Sequence, residues 1–77
     1  MITVLLFAHL QEQAGKSSTK LDDKNLTVLQ VKEKIAKEYK LGDLSHVMVA
    51  INEDYALNED IVREGDVVAF IPPVSGG

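Results

Sequence analysis

One segment of this sequence has almost no choice of structure. Thr27 is a good helix N-cap, and Gln30, three residues later, can reach back to it, which makes a capping box. Leu26 and Val31 flank that start as a hydrophobic staple. Val28, Val31, Ile35 and Tyr39 then recur at helical spacing as one apolar stripe. Lys32, Glu33, Lys34, Lys37 and Glu38 fall on the other face, Lys37 and Lys40 lie near the negative end of the helix dipole, and Gly42 ends the run. An amphipathic helix owes its stability to whatever covers its stripe. The rest of the chain offers mainly strands for that purpose.

Ile2 to Phe7 is β-branched and apolar, the signature of a buried strand. His9 to Ala14 suits a short helix stopped by Gly15. Ser17 to Leu21 reads as a polar edge strand, and Asp22 to Asn25 as a turn. Beyond the long helix come a strand at Val47 to Ile51, a turn at Asn52 to Asp54 and a brief extended piece at Tyr55 to Leu57. Glu64-Gly65-Asp66 turns into a last strand, Val67 to Ile71, which Pro72 and Pro73 end because neither can donate a ladder hydrogen bond. Two strands, a helix and a last strand returning to the middle of a mixed sheet make an α+β domain of the β-grasp type, the sheet packed on one main helix. A ferredoxin-like sandwich would need a second long helix, and Asn58 to Glu64 is too short for it. The expected division is a β-grasp domain over 1–71 and a flexible tail over 72–77.

Composition narrows the function. In 77 residues there is room for one core only. With 8 Lys and Arg against 12 Asp and Glu, the net charge of -4 repels phosphate backbones, so nucleic acid is not an expected partner. The absence of cysteine removes disulfides, thiolate metal sites and thiol nucleophiles together. Met1 to Leu10 is apolar, yet it lacks the basic start and cleavage site of a secretory signal, and no run approaches a membrane span. The expectation is a cytoplasmic domain with no membrane partner.

Strand side chains alternate between faces. Ile2, Val4, Leu6, Val49, Ile51, Val68 and Phe70 therefore join Val31 and Ile35 as the expected core. The opposite face carries Thr3, Met48, Ala50 and Ala69, but also Leu5, Phe7, Val67 and Ile71. One helix cannot cover both faces. An apolar patch on an uncovered sheet marks a protein partner, and Leu5, Phe7, Met48, Tyr55 and Ile71 are its candidate contacts.

Most local motifs read as structure. Gly15-Lys16-Ser17 lacks the earlier glycine of a phosphate loop, with Leu10 in its place. Asn25-Leu26-Thr27 matches a glycosylation acceptor, but serves better as turn and helix cap. His9 and His46 have no partners at metal-ligand spacing, and the pairs Glu53-Asp54 and Glu59-Asp60 lack the order of a calcium loop. No metal and no cofactor is expected on this chain.

The C-terminus stands apart, because no internal nucleophile has a base beside it. The reactive group left is the main-chain carboxylate of Gly77. Pro72 to Gly77 can extend roughly 20 Å from the sheet. Prolines stiffen its root, and Gly76 and Gly77, without side chains, can enter a narrow channel. A carboxylate is a poor acyl donor until it is activated, for example as a mixed anhydride with AMP.

The ending Phe70-Ile71-Pro72-Pro73-Val74-Ser75-Gly76-Gly77 resembles that of the small sulfur-carrier subunits of molybdopterin synthase. So do Val4-Leu5-Leu6-Phe7-Ala8 and Glu64-Gly65-Asp66-Val67-Val68-Ala69. Gln11 departs from the pattern, standing where that family often has Arg. The resemblance implies a ubiquitin-like fold and a non-catalytic, sulfur-donating subunit of a heterotetrameric synthase. It implies that an adenylating enzyme, using ATP, activates Gly77, and that a sulfur donor then makes a thiocarboxylate there. It further implies that the large catalytic subunit receives the tail, with Pro72, Pro73, Val74 and Ser75 as partner contacts and Gly76 and Gly77 at the reacting end. Sulfur then passes to cyclic pyranopterin monophosphate in molybdenum cofactor biosynthesis. Carriage of sulfur for thiamine or tRNA thiolation on the same fold, and a ubiquitin-like protein modifier, are the alternatives.

Overall fold

The computed structural model describes residues 1–73, so Val74, Ser75, Gly76 and Gly77 lie outside the described residues. The order is β1 (Ile2–Leu6), α1 (Ala8–Ala14), β2 (Ser18–Leu21), β3 (Asn25–Thr27), α2 (Val28–Tyr39), β4 (Met48–Ile51), β5 (Asp54–Ala56), β6 (Ile61–Arg63) and β7 (Val67–Ile71). Five strands form a sheet in the order β2-β1-β7-β4-β5. Only the central pair, β1 and β7, is parallel, and the last strand does return to the middle. This is the expected mixed-sheet β-grasp.

Helix α2 runs over the expected residues, and its start is built as the sequence implies. The Gln30 N–H donates to Thr27 Oγ1 at 3.1 Å, and the Thr27 N–H donates to Gln30 Oε1 at 2.9 Å. Two more first-turn donors, the N–H groups of Val28 and Leu29, reach the carbonyls of Asp60 and Asn58 at 2.9 and 3.1 Å. Those groups have no partner within a helix, so the segment before β6 completes the cap. The helix ends at Tyr39, three residues before Gly42. Lys40 makes the left-handed turn, with φ 56, and Gly42 follows with φ 76.

Three features depart from the sequence reading. Asn25–Thr27 and Ile61–Arg63 pair as a separate two-stranded sheet, where the sequence reading placed Asn25 in a turn and only excluded a long helix over Asn58 to Glu64. Strands of three residues are too short to display a period. Lys32 is not on a solvated face: it is 7% exposed, and its Nζ donates to Asn58 Oδ1 at 3.4 Å. Its aliphatic stem lies in the body while the amine reaches the 57–60 turn. Ile51 is half-buried, because it ends β4 beside the hairpin and pairs with Asp54.

The other expected core residues are buried, with Ile2, Val4, Val31, Ile35, Val68 and Phe70 all at 0% exposure. Leu10, Leu21, Leu26, Leu41, Leu44, Val47 and Val62, from the short elements and loops, enlarge that core. Tyr39 closes its margin. Its hydroxyl shares a hydrogen bond with Thr19 Oγ1 at 2.7 Å, and Lys16 Nζ lies 5.6 Å from its ring centre.

Candidate functional site

The face of the sheet turned away from α2 is open, and register decides what stands on it. Tyr55, Ala50, Ala69 and Leu5 are consecutive partners across β5, β4, β7 and β1, so their side chains project to one side. Met48 pairs with Ile71 one row nearer the end of β7. Phe7 follows Leu6, which pairs with Phe70, so it comes out at that same end. Ala8, at φ 52, turns the chain sharply into α1 just after it.

The middle of this face is low because Ala50 and Ala69 are small. Larger side chains rise around them, and the resulting depression is lined by Leu5, Phe7, Tyr55, Val67, Ile71, Asn52 and Glu53 together with the two alanines. Tyr55 is 70% exposed, Met48 50%, Phe7 44% and Val67 37%. Four side chains of that size on one face exceed the scattered surface hydrophobes of an ordinary monomer.

The structure thus brings Leu5, Phe7, Tyr55 and Ile71 together, as the sequence predicts. Met48 stands beside Ile71 in register but lines a neighbouring depression, with Tyr55 and Leu57. Ala50 is buried, not open, since taller neighbours shield it. Pro73 is exposed, whereas Pro72 is buried. The expected contacts Val74 and Ser75, and the reacting Gly76 and Gly77, lie outside the described residues.

Asn52 and Glu53 belong to the site, and the sequence reading had them only as a turn. They form the hairpin between β4 and β5 at φ 50 and 76, the pair of left-handed residues that a tight hairpin requires. Asn52 ties the hairpin to β7. Its N–H donates to the Val67 carbonyl at 2.8 Å, its Oδ1 accepts from the Val67 N–H at 2.9 Å, and its Nδ2 donates to Asp66 Oδ1 at 3.0 Å. The Arg63 N–H donates to the other Asp66 oxygen at 2.8 Å. That backbone bond, and then the Asn52 amide, hold the Asp66 carboxyl below the usual carboxylate range.

His9 and His46 are exposed, and among the described residues no hydroxyl is hydrogen-bonded to a histidine. No group of three or more His, Asp or Glu among the described residues is placed to hold a metal. No described helix is long and apolar enough to cross a membrane. The arrangement can bind an apolar surface, and the last described strand ends beside it.

Known proteins agree with this architecture over the whole chain. The molybdopterin synthase sulfur carrier subunit of Haemophilus influenzae is 36% identical over 81 residues, covering 100% of both chains. That of Arabidopsis thaliana is 37% identical over 79 residues, covering 99% of this chain and 82% of the other. Among solved structures, SAMP1 from Haloferax volcanii superposes with a TM-score of 0.83 at 30% identity, covering 99% of this chain and 98% of that one. The model of the ThiS family matches residues 4–77. With a ubiquitin-like β-grasp fold and relatives that align end to end, this chain belongs to the ThiS family.

Proposed function

We propose that this chain carries sulfur on its C-terminus as the small subunit of molybdopterin synthase. The observation that carries the reading is the full-length similarity to molybdopterin synthase sulfur carrier subunits, at 36 and 37% identity. The open apolar face supports it. A carrier must be held by another protein while its end reacts, and here the holding surface adjoins the strand from which the end departs. The partner expected on that face is the large catalytic subunit, and an adenylating enzyme is expected to take the same face in turn.

The chemistry assigned to Gly77 is as follows. Its carboxylate attacks the α-phosphorus of ATP on the adenylating enzyme, giving an acyl-adenylate and pyrophosphate. Sulfide-level sulfur from a sulfur donor then attacks the acyl carbon, AMP leaves, and a thiocarboxylate remains. In the synthase that sulfur attacks a carbon of cyclic pyranopterin monophosphate, an oxygen substituent of that carbon leaves, and water hydrolyses the resulting thioester, which restores the carboxylate and leaves the sulfur on the pterin. Catalytic side chains come from the partners, so this chain supplies the reacting atom and the docking surface. No cofactor is assigned to it.

The test is intact-mass spectrometry after incubation with ATP, an adenylating enzyme and a sulfur donor. The full chain should gain the mass of one sulfur less one oxygen, and lose it again when the large subunit and the pterin are added. A chain without Gly77 should fold normally and gain nothing, since its end sits about 3.5 Å short of its place and misplacement of about 1 Å can cost roughly a hundredfold in rate. If the chain lacking Gly77 still supports molybdopterin formation with purified components, the terminal carboxylate is not the carrier.

The similarity to SAMP1 favours one second reading, a ubiquitin-like modifier joined to lysines through Gly77. An isopeptide-linked product in the same incubation, in place of the thiocarboxylate, would select it.

A further inference from the structure

We propose that the open face carries a docking polarity, set by Lys20 at one edge and Glu53 at the other. It takes a protein surface with an acidic group opposite Lys20 and a basic group opposite Glu53. This rests on the open face being the surface that the large subunit covers.

The polarity follows from the register. Lys20 pairs with Thr3, and Thr3 pairs with Val67, so Lys20 stands on the open face at the β2 edge. Val67 is bonded on both its N–H and carbonyl to Asn52, which places Glu53 at the other end of this row. The row lies at the end of the sheet away from Ile71. The end near the chain's exit is apolar, with Phe7, Met48 and Ile71, while the far end has opposite charges at its two edges. Four strand spacings separate those edges, about 19 Å. That exceeds the screening length of roughly 8 Å at physiological salt, so an incoming surface meets them as two separate charges.

Both side chains are exposed. The ion pairs among the described residues are Met1 with Glu64 and Lys34 with Asp23, so neither Lys20 nor Glu53 has an ion-pair partner among the described residues. The hairpin also fixes Glu53, because Asn52 locks it to β7. Charge along the chain points the same way: seven of the eight cationic residues lie at or before Lys40, and seven of the 12 acidic ones at or after Asp43.

An apolar patch by itself binds in many orientations, because burial of area is not directional. A carrier whose end must enter an active site needs one of them. Complementary charges supply orientation and association rate more than affinity. Lys20 and Glu53 are therefore positioning residues for docking.

The experiment compares the full chain with K20E/E53K, which exchanges the two charges, keeps the net charge at -4 and leaves the apolar face alone. Association with the large subunit from the same organism is followed by stopped-flow fluorescence at low and high salt, with thermal melting as the control for folding. The exchange should slow association by about tenfold or more at low salt, with the difference narrowing at high salt. K20Q/E53Q should fall between the two, and takes over the test should K20E/E53K melt early. Association of the exchanged chain at the unmodified rate, or a slowing that salt does not narrow, would overturn the proposal. F7A/I71A, measured alongside, separates the two readings. If it binds unchanged, the open face is not the interface. If it weakens while the exchanged chain does not, the face stands and the polarity falls.

Discussion

The two faces of the five-stranded sheet are built from alternate residues of the same strands, yet they obey different requirements. On the helix side, Ile2, Val4, Leu6, Val68 and Phe70 are at most 1% exposed and meet Val31 and Ile35 of α2. On the other side Phe7, Met48, Tyr55 and Val67 are between 37 and 70% exposed, although they are just as apolar. Folding needs the first set and gains little from the second, since an exposed side chain has buried little area. An apolar residue kept where it does not stabilise the monomer is explained by what covers it later. The contrast teaches where stability ends and recognition begins on one sheet: at the plane of the backbone.

The sharpest way to break this comparison is to truncate one aromatic on each face. Phe70→Ala, in the helix-side core, should destabilise by about 3–5 kcal/mol, and Ile35→Ala by about 2–5 kcal/mol. For a chain this small that approaches the whole stability, and urea unfolding should show little or no folded baseline for Phe70→Ala. Phe7→Ala should leave the unfolding midpoint nearly in place and weaken binding of the large subunit by about 1–3 kcal/mol, read by calorimetry. Reversed outcomes, with Phe7→Ala unfolding the chain and Phe70→Ala folding normally, would mean that the faces have been assigned backwards.

Much of this division can be read before the structure. Period-two alternation is strong in Ile2 to Phe7 and Val67 to Ile71, so the facing of Leu6 and Phe7, or of Phe70 and Ile71, needs no coordinates. The capping box made the start of α2 readable to the residue. What remained hidden lay where the pattern is short or where a neighbour decides. The three-residue strands around Leu26 and Val62 exist because they pair with each other across more than thirty residues of chain. Lys32 looks like a surface lysine until the turn bearing Asn58 folds over it. Asn52 and Glu53 read as a turn, but that the turn borders the open depression depends on the bonds from Asn52 to Val67. Pro72 marks the limit at the other end: its sequence suits a tail, and its burial depends on the folded body.

A smaller effect concerns how firmly the helix-side layer is fastened. Thr27→Ala removes the side-chain acceptor of the Gln30 N–H and should cost about 1 kcal/mol. Because that cap lies on the small sheet, away from the open face, large-subunit affinity should be unchanged at temperatures where the variant is folded. Loss of affinity in step with loss of stability would show that the two faces are coupled.

The smallest effect tests the far end of the open face, through pH. The Asp66 carboxylate accepts from the Arg63 N–H and the Asn52 amide, and its pKa is lowered from the ordinary value of 3.8. A carboxyl depressed in the folded state contributes stability that is fully present above its unfolded pKa. That contribution is lost as pH falls through the folded value. The window therefore opens near pH 4 and extends below it, with no effect near neutrality. The group is largely open to water, so the contribution is small, and it should appear as a modest fall in melting temperature in acid. Asp66→Asn should remove that part of the pH dependence. At pH 7 it should lower stability slightly, because an amide accepts the Arg63 N–H less strongly than a carboxylate does. One of the three bonds that hold Asn52 ends on the same residue, so the exposure of Glu53 on the open face should change with it. If Asp66→Asn keeps the acid slope of the unmodified chain, the slope belongs to another carboxylate, and the Asn52–Asp66 bond does not anchor this end of the face.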